Sequence, residues 1–260
     1  MAITLEGGCR VSEMREDDPL VAGTLRIWNR IGRSTGAQAI SLRIMEFAPG
    51  LSPGIRNAES DEILYVLDSK RDSLVDLSAQ VIIDGRSHGI SADTGIYIRP
   101  GETFAVNNSG TGSIVMVSSQ CPDPVRQPQF VEAITSPNTD SNASLPLVRL
   151  ADRPAQPTAD RWYRVLIDDA VGSDQVTLFV GSIPPGRAPA HFHQYEEVLF
   201  ILKGEGRMWA GKTNTPIAPG SCIYLPKRQV HCVENTGPGE LRLLGVFYPA
   251  GSPSVRYSVE

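Results

Sequence analysis

The stretch PAHFHQYEE, residues 189 to 197, sets His191 and His193 one residue apart and follows them with Glu197. On an extended strand the i, i+2 spacing turns both imidazoles to one face. His231 arrives 34 residues after Glu197 in LPKRQVHCVEN, so three of the chain's four histidines and a carboxylate can meet at one spot if their strands lie side by side. Neutral imidazole and carboxylate together suit Fe, Mn, Co, Ni, Cu or Zn. With four protein ligands, a six-coordinate ion keeps two open positions, which serve redox and Lewis-acid chemistry alike. A metal-free reading requires burying three imidazoles and a carboxylate without partners, which is costly. The first half of the chain has a similar setting, IRNAESDE at 55 to 62, without a histidine.

The elements that must position these residues are short, β-branched or alternating segments bounded by Gly, Pro, Asn or Asp. Examples are EILYVLDS (62 to 69), SAQVIIDG (78 to 85), GIYIRPG (95 to 101), QVTLFVGS (175 to 182), EVLFILKG (197 to 204) and LRLLGVFY (241 to 248). No sustained helical stripe of 12 or more residues competes with them, and the pattern predicts an all-β protein of antiparallel strands in a sandwich or barrel.

The two halves repeat one another. DEILYVLDS aligns with EEVLFILKG when Glu62 matches Glu197, an offset of 135, and GIYIRPGETFAVNNSGTG aligns with CIYLPKRQVHCVENTGPG when Tyr97 matches Tyr224, an offset of 127. The difference places about eight extra residues in the first half, most simply in DSKRDSLVDLSA, 68 to 79. Between the halves, residues 121 to 160 hold 7 of the 20 prolines and cannot be a run of central strands. The expected division is an N-terminal domain over 1–125, a proline-rich connection over 126–160 and a C-terminal domain over 161–260.

GRAPAHFHQYEEVLFILKGEG, 186 to 206, resembles the first cupin motif, with Gly186, His191, His193, Glu197 and Gly204 in its positions. GSCIYLPKRQVHCVEN, 220 to 235, is similar to the second motif through Gly220, Pro226, His231 and Asn235; Arg228 departs from it where the family usually has glycine. The resemblance implies two double-stranded β-helix barrels of jelly-roll type in one chain, a bicupin. It implies His191, His193, Glu197 and His231 as ligands of one divalent transition metal, iron first, with Mn, Ni, Zn and Cu as alternatives. By the same alignment the histidine positions of the first half fall on Arg56, Ala58 and Phe104 (Ala105 with a one-residue slip), none of which ligates a metal. An ion pair between Arg56 and Glu62 is expected in the vacated mouth, ahead of an anion site at Arg56.

The superfamily includes dioxygenases, oxalate-degrading enzymes, sugar isomerases, lyases and ureidoglycine aminohydrolase, and a fold does not select among them. Three functions are carried: a dioxygenase-type oxidoreductase acting on a small oxygen-rich molecule, non-oxidative Lewis-acid chemistry, and a non-catalytic ligand-binding or storage bicupin. Tyr224, facing the barrel interior, and Glu196, reaching the mouth, are the candidate catalytic acid–base groups. Ranked behind ordinary core packing are Trp209 and Phe200 as pocket walls, and ranked behind surface exposure are Tyr195 at the mouth and Arg187 and Arg228 as attractors of an acidic substrate; His88 reads as a solvated turn residue.

A net charge of -5 without a basic cluster predicts no nucleic-acid partner. The opening MAITLEGGCRVSEMRED lacks a basic region followed by an apolar run, and no stretch approaches ~20 apolar residues, so a soluble, cytoplasmic protein without a membrane partner is expected. The scattered Cys9, Cys121, Cys222 and Cys232 are expected as reduced thiols. Exposed strand edges and the family resemblance together predict a homodimer.

Overall fold

The computed structural model describes residues 1–67, 79–124, 128–136, 145–255 and 257–258. The alternating segments become strands because β-branched and aromatic side chains fit a pleated, half-buried surface. Among the described residues they make four antiparallel sheets, two for each barrel. The larger sheet of the first barrel runs in the order Leu147–Arg149, Thr94–Ile98, Asp61–Val66, Ile114–Cys121, Leu42–Phe47, Leu25–Ile31, Leu20–Ala22. Its smaller sheet runs Arg86–Ile90, Ala79–Ile83, Thr103–Asn108, Gly54–Arg56, Gln129–Val131, with Gly50–Leu51 also on Thr103–Asn108.

The second barrel repeats this plan. Ser221–Leu225, Glu196–Lys203, Leu241–Tyr248, Thr177–Ile183, Arg161–Ile167 and Gln156–Thr158 follow one another in its larger sheet. The smaller sheet is ordered Thr213–Ile217, Gly206–Ala210, His231–Asn235, His191–Phe192, Tyr257–Ser258, with Gly186–Arg187 also on His231–Asn235.

Registers reproduce the repeat seen in the sequence. Glu62 pairs with Ile98 as Glu197 pairs with Leu225, and Ile63 pairs with Tyr97 as Val198 pairs with Tyr224. Asn108 donates to the carbonyls of Phe47 and Gly112, and Asn235 donates to those of Ile183 and Gly239. Most of the 68 to 79 segment expected to hold the extra residues lies outside the described residues, as do 125–127 and 137–144 of the proline-rich connection.

Strand alternation sorts the side chains into three cores. Met45, Phe47, Ile55, Leu64 and Phe104 fill the first barrel, and Phe179, Leu199, Ile201, Met208 and Phe247 fill the second. The opposite faces of the two large sheets close on each other through Trp28, Ile44, Ile63 and Val117 from one barrel and Leu178, Val198, Phe200 and Leu244 from the other. At Gly95 the approach is so close that a Cβ would meet Leu178 Cδ2 at 3.0 Å and Leu166 Cβ at 3.2 Å.

Chain order and barrel membership part company at the N-terminus. The sequence places residues 1–125 in one unit, yet Arg10–Glu13 pairs with Ser221–Leu225, and Ile3–Thr4 extends that edge. Leu5, Cys9 and Val11 are buried in the core of the second barrel. The pairing of Arg10–Glu13 covers a strand edge that would otherwise present unpaired backbone groups. The proline-rich connection supplies edge strands to both barrels: Gln129–Val131 and Leu147–Arg149 to the first, Gln156–Thr158 to the second. His88, read as a turn residue, lies in the strand Arg86–Ile90 opposite Val81.

Candidate metal centre

The two-residue strand His191–Phe192 pairs with His231–Asn235 so that His191 stands directly opposite His231. His193 follows on the same face, and Glu197 enters from Glu196–Lys203 in the facing sheet. The ligand nitrogens of His191, His193 and His231 lie within 4.8 Å of one another. Glu197 Oε2 is 3.6 Å from His193 Nε2 and 3.7 Å from His231 Nε2. The structure therefore brings together all four residues that the sequence singled out as ligands.

Backbone carbonyls orient two of the rings. Nδ1 of His191 lies 3.0 Å from Pro189 O, and Nδ1 of His231 lies 2.7 Å from Gln229 O. A carbonyl only accepts, so these contacts place the proton on Nδ1 and leave the Nε2 lone pair available to a cation. Burial, followed by the adjacent His191, pushes His231 down to about 3, so it is neutral at ordinary pH. Burial pushes Glu197 up to about 8, because a carboxylate anion is poorly solvated in the barrel interior.

Glu197 Oε2 is buried and has no hydrogen-bond partner among the described residues. An orphaned carboxylate oxygen beside three imidazoles is what a divalent ion corrects, since it supplies the missing charge and accepts all four lone pairs. The donor set thus fits a transition metal.

The surroundings are largely hydrocarbon. The cavity over the cluster has a volume of ≈ 90 Å³, with Phe179, Ile183, Leu199, Val233, Leu243 and Phe247 among its walls. Tyr195 stacks on His193 with centroids 5.0 Å apart and an interplanar angle of 11°, and Phe247 packs on both rings. Gly245 leaves room for Phe179, since a Cβ there would stand 2.3 Å from the Phe179 ring. The sequence named the strands that carry Phe179 and Phe247 but held no signal for which face would meet the histidines. Arg161, Thr158 and Ser182 also line the cavity and were not anticipated.

The candidate acid–base pair lies elsewhere. Glu196 precedes Glu197 on the same strand, so its carboxylate points to the other face of the sheet. There Tyr224 donates its hydroxyl to Glu196 Oε1 at 2.5 Å, and the backbone N–H groups of Gln38 and Ala39 in the first barrel donate at 2.9 and 2.7 Å. Tyr224 and Glu196 are therefore groups of the layer between the barrels. Tyr97 and Asp61 repeat the pair in the first barrel at 2.5 Å.

Phe200 belongs to the same layer, as the ordinary core residue it is first expected to be and not as a pocket wall. Trp209 faces outward, with the Arg187 guanidinium 3.9 Å above its ring and Glu234 accepting its Nε1–H at 2.7 Å. Arg228 donates to Gln194 on the surface.

The first barrel corrects another expectation. The strand pairings match Phe104 with His231 but match Ile55, opposite Phe104, with His191. The histidine positions thus fall on Ile55 and Asn57, not on Arg56 and Ala58, because one more residue separates them from Glu62. That shift of one turns Arg56 outward, and the ion-pair partner of Glu62 is Arg43 at 2.5 Å. Ser118 and Gln120 also donate to Glu62. Arg43, Ser118 and Gln120 take the register places of Phe179, Gly245 and Phe247 in the second barrel.

Residues 179–247 match the model of the Cupin domain. Auxin-binding protein 1 of Arabidopsis thaliana is 32% identical over 86 residues, covering 29% of this chain and 43% of that protein. The oxalate-binding protein of Thermotoga maritima is 34% identical over 67 residues, covering 25% of this chain and 55% of that protein. This chain therefore spans only about half the length of the curated relatives it matches.

Among solved structures, a variant of the oxalate decarboxylase OxdC of Bacillus subtilis superposes with a TM-score of 0.73 at 14% identity, covering 96% of this chain and 79% of that one. The formate complex of Lactobacillus farciminis oxalate decarboxylase gives a TM-score of 0.70 at 13% identity, with 93% and 87% covered. These structural likenesses bear on the fold of both barrels. Among the described residues no helix is long and apolar enough to cross a membrane.

Proposed function

We propose that this chain, whose residues 179–247 match the Cupin domain model and whose two barrels share the fold of two-barrel cupins, is a metal-dependent enzyme acting on a small oxygen-rich molecule, a dioxygenase-type oxidoreductase with one centre in its second barrel. His191, His193, Glu197 and His231 hold the metal, with iron as the proposed ion. When bound, such an ion supplies electron transfer and Lewis acidity to oxygen donors in its open positions.

One observation favours the oxidative reading: beyond the four ligands, the described lining of the cavity contains no carboxylate or imidazole, and Tyr163 is its one phenol. Hydrolysis or isomerisation by a Lewis acid ordinarily needs a further group to move a proton. Here Tyr195 packs its ring on His193, turns its hydroxyl toward Ser252 O at 3.4 Å, and is held protonated by burial. Phe179 and Phe247 exclude water and offer a flat apolar body a wall, while Pro189 O and Gln229 O fix the ring orientation of His191 and His231.

Metal content per chain, measured by plasma mass spectrometry on untagged wild type and on His191→Ala/His193→Ala, tests the centre. Oxygen uptake with a panel of catechols, flavonols and diketones tests the reaction. About one ion per wild-type chain, lost in the variant and accompanied by oxygen uptake, is expected. Equal substoichiometric metal in both proteins sinks the reading; a full complement of metal with no oxygen uptake turns it toward non-oxidative chemistry.

A second reading is ligand binding without turnover, favoured by relatives named as auxin-binding and oxalate-binding proteins. Metal-dependent uptake of a ligand that is recovered unchanged would distinguish it. The edge strand Leu20–Ala22, with Val21 61% exposed, supports a homodimer, for which light scattering is the test. Four buried cysteines outside any disulfide support a cytoplasmic location.

A further inference from the structure

Arg161 is a charged group that the fold turns into the cavity of the second barrel. Side chains alternate from Arg161 to Val165, before the register shifts ahead of Ile167: Tyr163 enters the barrel core and Val165 packs against it, while Trp162 packs against the layer between the barrels. Arg161, two residues before Tyr163, shares its inward face. It lines the cavity beside Thr158 and Ser182, and its side chain is only 11% exposed.

Two features make this guanidinium more than a surface charge. Among the described lining residues the formal charges are those of Arg161 and of Glu197, which the metal reading already uses. Asp160 Oδ1 accepts from Nε of Arg161 at 2.9 Å and lies 2.8 Å from its Nη2, and the Asp160 side chain is 62% exposed. Water screens such a pair, so it compensates a largely buried cation poorly. With Asp160 on the Nε–Nη2 edge, the end-on Nη1–Nη2 edge of the planar guanidinium still presents two parallel N–H donors, which match a carboxylate.

We propose that Arg161 selects organic acids for this pocket: a carboxylate meets the guanidinium, an apolar body lies along Phe179 and Phe247, and a second oxygen faces the cluster of three histidines and Glu197. This assignment rests on the reading of the cavity as the substrate site. It narrows the substrate class from oxygen-rich molecules to acids with a further oxygen donor.

The test uses the full chain and a matched pair of probes, mandelate and its uncharged amide mandelamide. Wild type, Arg161→Met and Arg161→Lys are assayed for metal content and then titrated with each probe by calorimetry. Wild type is expected to prefer the acid by about tenfold or more. Arg161→Met is expected to lose that preference at unchanged metal content, and Arg161→Lys to recover part of it. No mandelate binding to wild type, equal affinity for acid and amide, or an undiminished preference in Arg161→Met overturns the assignment. Wild type that takes up no metal when supplied with it, yet still discriminates acid from amide, removes the metalloenzyme reading and leaves the role of Arg161 standing. Metal-replete wild type without discrimination does the reverse.

Discussion

Arg43 donates to Glu62 at 2.5 Å inside the first barrel, and this ion pair occupies the place where Glu197 faces three imidazoles in the second. Both members are nearly inaccessible, with side chains 4% and 1% exposed. Duplicated barrels have thus solved the same problem, a buried carboxylate, with two different cations: a guanidinium in one and, on our reading, a metal in the other.

Removing one partner of the first pair strands the other charge. Glu62→Gln is expected to cost about 3–5 kcal/mol in urea unfolding while leaving metal content unchanged. Arg43→Met combined with Glu62→Gln is expected to cost much less than the sum of the single variants. Additive costs would mean that the two charges are not coupled.

Glu197 is the contrasting case. Added metal is expected to raise the melting temperature of wild type in a concentration-dependent way, about 2.7 kcal/mol at a free concentration 100 times Kd. Glu197→Gln is expected to abolish most of that increment, and Glu62→Gln to preserve it. Thermal melts with and without a chelator read both outcomes.

Tyr224 and Glu196 are expected to behave as structural groups. Glu196→Ala removes the acceptor of the Gln38 and Ala39 N–H groups, which solvent partly reaches, at a cost of about 1–2 kcal/mol, and Tyr224→Phe costs about 1 kcal/mol. Metal content and turnover at saturating substrate should match wild type in both. A selective fall in kcat at full metal occupancy would return them to the chemistry.

Deleting residues 1–13 is expected to destabilise the second barrel. The deletion takes Leu5, Cys9 and Val11 out of its core and uncovers Ser221–Leu225. Each buried aliphatic side chain is worth about 1.5–3 kcal/mol. Limited proteolysis should then cut first within 161–258, and metal should be lost together with that resistance.

The thiols should be silent in the native state. Burial pushes Cys9 up to about 12 and raises Cys121 and Cys222 as well, and all four cysteines are buried. The nucleophile is the thiolate, so at pH 8 Cys9 stays protonated and unreactive, and raising the pH to 10 should still not expose it chemically. A chromogenic disulfide reagent is expected to find no fast thiol in the folded chain and four in guanidinium.

What the sequence determined by itself was local and periodic. Period-two alternation announced strands, the HxH spacing with Glu197 and His231 announced the cluster, and the matched pairs Glu62 with Glu197 and Tyr97 with Tyr224 announced two copies of one barrel. These features survive because alternation depends only on neighbouring residues. Tertiary structure decided everything that depends on which strands lie side by side. It chose Arg43 over Arg56 for Glu62, sent Glu196 to the backbone of Gln38 and Ala39, and carried Arg10–Glu13 to the other barrel. It also set Phe179, Phe247 and Arg161 around the histidines. The physical reason is register: a strand slipped by one residue turns every side chain to the opposite face, and pairing between segments far apart in the chain fixes that register. Spacing along a single segment carries no trace of it.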